Sequence, residues 1–130
     1  MRVLADTNIL FSAIIRPGSV PAQALLKISE EHSLVLCDQN LTELRDVFQR
    51  KAPQSLAVVE AFLTELSYEL VPALKQTKTK IRDPKDQPIL NAAILHDVDV
   101  IVTGDKDFLA LDLDKPVCMT AAEFLEEYIG

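Results

Sequence analysis

Val100-Ile101-Val102-Thr103-Gly104-Asp105 is the stretch whose reading decides the fold. Its first three residues are apolar and β-branched, and a turn signal follows them. A strand with one solvated face would alternate polar and apolar side chains, so an unbroken apolar run implies a strand covered on both faces. Two more runs share this form. Val3-Leu4-Ala5 ends at Asp6, and Leu34-Val35-Leu36-Cys37 ends at Asp38. Tyr68 to Val71 reads as a further strand, and Val117-Cys118-Met119 as a short one.

Helical spacing fills the intervals. Ile9, Leu10, Ala13 and Ile14 follow the first strand, with Thr7 or Asn8 as the cap. Arg16-Pro17-Gly18-Ser19 breaks that helix, and Pro21 suits the first turn of the next, whose apolar face is Ala24, Leu25 and Ile28. A third helix runs from about Asn40 to Arg50 with Leu41, Leu44, Val47 and Phe48 inward, and Pro53 opens another through Leu56, Val59, Leu63 and Leu66. Asp86 heads a helix containing Ile89, Leu90, Ala92, Ala93 and Leu95, and Thr120-Ala121-Ala122-Glu123 fits a capping box. Apolar strands alternating with helices predict an α/β fold, a three-layer α/β/α sandwich around a central parallel sheet, as one domain over residues 1–130.

Composition excludes several classes. A hydrophobic fraction of 48% with 25% charged residues argues against intrinsic disorder. The first residues, Met1-Arg2-Val3-Leu4-Ala5-Asp6, form no leader segment, and no run of about 18 apolar residues predicts a membrane span. Cys37 and Cys118 form no CxxC motif, so buried, reduced thiols in a cytoplasmic protein are expected. His32 and His96 are too few for an imidazole zinc site. The net charge of −7, taken alone, points away from nucleic acid, whose non-specific affinity rests on Lys and Arg.

The position of the acids matters more than their number. In an open parallel sheet, sites form where strands end at the switch point. Asp6 follows the first strand, Asp38 and then Glu43 follow the second, Asp86 heads a late helix, and Asp105 and Asp107 follow Thr103-Gly104. Taken singly, each has a plain reading as a helix cap, a turn acid or a solvated helix residue. Converging carboxylates repel one another and demand protonation or a cation. Oxygen donors suit Mg²⁺ or Mn²⁺. Such a cation near a phosphodiester lowers the pKa of water and stabilises charge on the phosphate.

At this point the chain resembles the PIN-domain ribonucleases. The resemblance rests on Leu4-Ala5-Asp6-Thr7-Asn8-Ile9-Leu10, on Glu43 in the third helix, on Asp86 ahead of Ile89 and Ala93, and on Val102-Thr103-Gly104-Asp105-Lys106-Asp107-Phe108. Its short length is similar to VapC-like toxin components of prokaryotic type II toxin–antitoxin modules. The resemblance implies a Mg²⁺- or Mn²⁺-dependent endoribonuclease. Asp6, Glu43, Asp86 and Asp105 would hold the metal and activate water, with Asp107 as an outer ligand. Asn8 would support Asp6 by a hydrogen bond, and Thr103 would orient the acids. Asp83 competes with Asp86 as third acid, and the helical register of Ile89, Ala92 and Ala93 favours Asp86. A toxin implies an antitoxin partner that covers the acidic groove, and the apolar helices around residues 40–67 suit a homodimer.

Residues 75–85 carry Lys75, Lys78, Lys80, Arg82 and Lys85 against Asp83 alone. Beside a plain solvated loop stands a functional reading, a phosphate-contacting rim in which Lys78, Lys80, Arg82 and Lys85 meet RNA, extended by Arg45, Arg50 and Lys51. Three rival classes stand beside this reading. A receiver-type phosphoacceptor domain would need an acid pair after the first strand, where Asp6 stands alone. A catalytically silent interaction module would not need all four acids, and a structure-specific DNA nuclease would need long insertions.

Overall fold

The computed structural model describes residues 1–73 and 86–128. Lys75, Lys78, Lys80, Arg82, Asp83 and Lys85, named above as basic rim or alternative acid, lie outside the described residues. The elements are β1 (Arg2–Ala5), α1 (Thr7–Ile15), α2 (Val20–Glu31), β2 (Ser33–Cys37), α3 (Asp38–Lys51), a 3-10 turn (Pro53–Ser55), α4 (Leu56–Glu65), β3 (Glu69–Val71), α5 (Gln87–Leu95), β4 (Val100–Val102), α6 (Lys106–Leu109), β5 (Val117–Met119) and α7 (Ala121–Glu127).

All pairings are parallel, in the order β3-β2-β1-β4-β5. The chain therefore winds from β1 out to β3, then crosses to the other side of β1 for β4 and β5. The reversal falls between β1 and β4, where Leu4 is in register with Ile101 and Ala5 with Val102. Alternate side chains feed opposite faces. Val3, Ala5, Leu34, Leu36, Val100 and Val102 pack with apolar residues of α1 to α4 and α7. Leu4, Val35, Cys37, Val71 and Ile101 pack with Ile89, Leu90, Ala92 and Ala93 of α5 and Phe108 of α6. This is the expected three-layer sandwich, and its two-sided cover explains why Val3 to Ala5, Leu34 to Cys37 and Val100 to Val102 carry no polar residue.

The local signals hold, with adjustments at the helix starts; the helix expected from Pro53 opens as a 3-10 turn, and α4 follows from Leu56. Asp6 itself caps α1, accepting from the Thr7 amide at 2.8 Å, where Thr7 or Asn8 was expected. α3 begins at Asp38, ahead of the expected Asn40. α6 spans four residues and had no forecast, since so short an element shows no period; Asp105 caps it through the Asp107 amide at 2.8 Å. The Thr120–Glu123 capping box forms as expected. Burial pushes the free thiols of Cys37 and Cys118 up to about 11, so neither is a thiolate at neutral pH. Among the described residues no single helix is long and apolar enough to cross a membrane.

α3 is anchored by Leu41, Leu44 and Phe48, with Phe48 fully buried and its ring 5.2 Å from that of Phe11 on α1. Phe48→Ala is expected to lower the unfolding free energy in urea by about 3–5 kcal/mol. Leu26→Ala, at a position 57% exposed, is expected to change it by less than about 1 kcal/mol.

Candidate metal centre

The switch point between β1 and β4 opens a cleft of about 310 Å³. Asp6, Glu43, Asp86 and Asp105 line it, together with Thr7, Asn8, Phe11, Val47 and Lys51. Four segments far apart in the chain supply these acids: the ends of β1 and β4, the second turn of α3 and the head of α5. A larger cavity of about 380 Å³ lies among Ala13, Ile14, Leu25, Leu26, Val58 and Phe62. It contains no titratable side chain and offers no chemistry.

Asp6 is the deepest acid, 6% exposed. Its Oδ1 accepts from the Thr7 amide at 2.8 Å and from Asn40 Nδ2 at 3.2 Å, and its Oδ2 accepts from Thr103 Oγ1 at 2.8 Å. Burial raises its pKa above the ordinary value of 3.8, the bonds from Thr103 and Thr7 pull it down, and the charges of Glu43 and Asp105 push it up again. Thr103 is fully buried and also accepts from the Asp105 amide at 2.9 Å, so one hydroxyl links two acids. Glu43 is half-buried and accepts from Thr7 Oγ1 at 2.9 Å and from Gln39 Nε2 at 3.0 Å.

Carboxylate oxygens of Asp86, Asp105 and Asp107 lie within 4.8 Å of one another. With Asp6 repelled by Asp105, the donor set is hard, anionic and built of oxygen. That chemistry fits Mg²⁺ or Mn²⁺ and suits neither zinc held by imidazole and thiolate nor a soft metal.

The expected residues divide clearly. Asp6, Glu43, Asp86 and Asp105 meet in the cleft, Asp107 joins the cluster, and Thr103 bonds Asp6. Asp86 stands at the N-cap of α5 without capping it, because its backbone is helical there and its side chain makes no capping bond. Asp38 lies outside the cleft lining, and its Oδ1 accepts from the Ala73 amide at 2.9 Å.

Two expectations are corrected. Asn8 does not bond Asp6: its Oδ1 accepts from the Gly104 amide at 3.2 Å, because α1 starts at Thr7 and carries Asn8 toward the β4–α6 loop. Arg45 is absent from the cleft lining and held by Glu60 of α4 in a two-pronged pair at 2.9 and 3.0 Å. Two residues at odd angles on one helix face different sides, so Arg45 cannot follow Glu43 into the cleft. Lys51 does reach it, with Nζ 5.9 Å from the centre of the Phe11 ring.

Two polar residues went unread as site residues. Asn40 is fully buried, its Nδ2 bonding Asp6 and Thr7, while its Oδ1 has no hydrogen-bond partner among the described residues. Such an orphaned acceptor costs about 1–3 kcal/mol. Thr7 was read only as a cap. The available signal was an Asn on the same helical stripe as Leu41, Leu44 and Phe48, one turn ahead of Glu43.

Comparison with known proteins adds the following. A family model described as PIN domain matches residues 2–107. Among solved structures, VapBC2 from Rickettsia felis bound to a DNA fragment from their promoter contains a similar chain. The match has a TM-score of 0.70 and 16% identity, covering 92% of this chain and 98% of that one. It speaks to fold alone. Curated protein sequences give no significant match.

The raised Asp6 pKa has a consequence for stability without metal. A carboxyl whose native pKa exceeds its unfolded value stabilises the fold at pH values below the unfolded pKa, and that contribution is lost as pH rises through the native one. Thermal melts in EDTA are expected to show wild type losing stability from about pH 4 upward relative to Asp6→Asn, which has no proton to lose there. Parallel curves for the two proteins would contradict the buried, repelled carboxylate.

Proposed function

The chain belongs to the PIN-domain family, and from that premise we propose that it is a divalent-metal-dependent endoribonuclease, the toxin of a toxin–antitoxin pair. One observation carries the reading: Asp6, Glu43, Asp86 and Asp105 line a single cleft at the switch point. A structural protein gains nothing from gathering like charges there.

Asp86, Asp105 and Asp107, with Asp6 beside them, would hold Mg²⁺ or Mn²⁺. When bound, the cation supplies positive charge to the scissile phosphate and departing oxygen and makes water more acidic. The protein does the rest. Thr103 and the Thr7 amide fix the Asp6 carboxylate, so its orientation is set before substrate arrives. Glu43, held by Thr7 and Gln39, is the carboxylate placed to orient the attacking water and take its proton. Lys51, exposed and without an ion pair among the described residues, offers a phosphate contact at the cleft. Lys78, Lys80, Arg82 and Lys85, in the basic run that precedes Asp86 in sequence, would add further phosphate contacts.

The likeness to the chain from VapBC2 supports an antitoxin partner, which on this reading would cover the cleft. A homodimer and a cytoplasmic location complete the proposal.

Purified protein is expected to cut single-stranded RNA with Mg²⁺ or Mn²⁺ and not in EDTA. Asp86→Asn or Asp105→Asn is expected to lower the rate at least about 100-fold, since even outer partners of a metal are worth 10–100-fold. Metal at roughly 100 times its Kd should raise the melting temperature by roughly 10 °C, a gain largely absent in Asp6→Asn. Metal-independent stability together with no cleavage would leave a silent interaction module. Separately, replacing Lys78, Lys80 and Arg82 by Ala should weaken RNA binding and flatten its dependence on salt, leaving metal affinity unchanged. An unchanged salt slope would remove that segment from the RNA contact.

A further inference from the structure

We propose that Asn40 is a positioning residue of the metal centre: its side-chain amide holds the Asp6 carboxylate and the Thr7 hydroxyl so that Asp6 is presented to the divalent cation with Glu43 fixed beside it. The proposal rests on the metal-dependent reading above.

Asn40 sits on the buried stripe of α3 with Leu41, Leu44 and Phe48, where an apolar side chain would pack without loss. It brings an amide with a partnerless Oδ1 instead. Its Nδ2 explains the choice. One N–H is directed to Asp6 Oδ1 at 3.2 Å and the other to Thr7 Oγ1 at 3.0 Å. An amide nitrogen only donates, so the Thr7 hydroxyl accepts there and keeps its single proton for another partner. Glu43 Oε2 lies at 2.9 Å and the Asn40 carbonyl at 3.5 Å, and the shorter, charged acceptor takes the proton.

Asn40 thus sets the direction of a chain of donors that touches both acids. Asn40 and Glu43 are three residues apart on one helix, which places them on the same face one turn apart. From the other side, Thr103 donates to Asp6 Oδ2 and accepts from the Asp105 amide. Asp6 receives three donors in all, against the roughly four that a carboxylate accepts. The carboxylate is locked and still retains capacity for a cation. A role confined to pinning α3 against α1 would appear in the stability of the metal-free protein and not in its metal affinity.

The experiment uses the whole chain with Asn40→Leu and Thr7→Val, both close in size to the native residue and both lacking the donor. The readouts are melting temperature in EDTA, Mn²⁺ affinity by titration calorimetry, and RNA cleavage at limiting and saturating Mn²⁺. Asn40→Leu is expected to weaken Mn²⁺ binding roughly 10–100-fold. Its KM for RNA should hold, and saturating Mn²⁺ should restore most of kcat. Thr7→Val should weaken Mn²⁺ less, and the double variant should lose less than the two single losses combined, because both act on one link.

A folded Asn40→Leu protein that binds Mn²⁺ as tightly as wild type would overturn the proposal. Should that variant fail to fold, wild-type Mn²⁺ affinity in Thr7→Val would overturn it equally. Wild type that binds Mn²⁺ without cutting RNA overturns the nuclease reading alone, since affinity still reports on Asn40. Wild type that binds no Mn²⁺ overturns both.

Discussion

A carboxylate buried beside other carboxylates is the constraint on which the rest of this structure depends. Asp6 keeps 6% of its surface, and both Glu43 and Asp105 disfavour its charge. Left alone, such a group would take up a proton or push its neighbours apart. The fold opposes this with donors: the Thr7 amide and the Asn40 side chain at one oxygen, the Thr103 hydroxyl at the other. Supplying them requires the start of α1, the first turn of α3 and the end of β4 in one place. The order β3-β2-β1-β4-β5 does this by making β1 and β4 neighbours whose following segments diverge.

That arrangement also explains which parts were legible in the sequence. Val3-Leu4-Ala5, Leu34 to Cys37 and Val100 to Val102 carry no polar residue because helices cover both sheet faces, and an unbroken apolar run is visible without coordinates. Asp6, Asp86 and Asp105 were legible because each comes just after such a run or heads a helix. Arg45 was not. Its partner Glu60 lies on another helix, and ion pairing between helices leaves no periodic trace. Asn8 was misassigned for a related reason: one residue of difference in where α1 begins turns a side chain by about 100°. Asn40 looked like the polar start of a helix, while its burial depends on α1 packing across it.

The hydrogen-bond set also separates two kinds of acid within one cleft. Asp6 is rigid, with three donors upon it, and Asp105 is restrained by its cap on α6. Glu43 is half-buried and held through hydroxyl and amide side chains, Thr7 and Gln39, which rotate more readily than backbone. A site that binds a cation and also handles a proton needs both kinds: fixed ligands for the first task and a more adaptable base for the second.

Net charge is the feature most easily misread. Seven excess negative charges suggest a protein that avoids phosphate. Yet Asp6, Asp86, Asp105 and Asp107 gather in and beside the cleft, where on the proposed reading a divalent ion would offset part of their charge. Among the described cations, Arg2, Lys27, Arg45 and Lys115 are tied to acids away from the cleft, and Lys51, which lines the cleft, is one of those with no ion pair among the described residues. On that reading RNA affinity would follow the local field with metal bound, and the overall count would mainly limit binding elsewhere on the surface. A nuclease of the proposed kind would depend on its metal twice, for chemistry and for tolerating its substrate's charge.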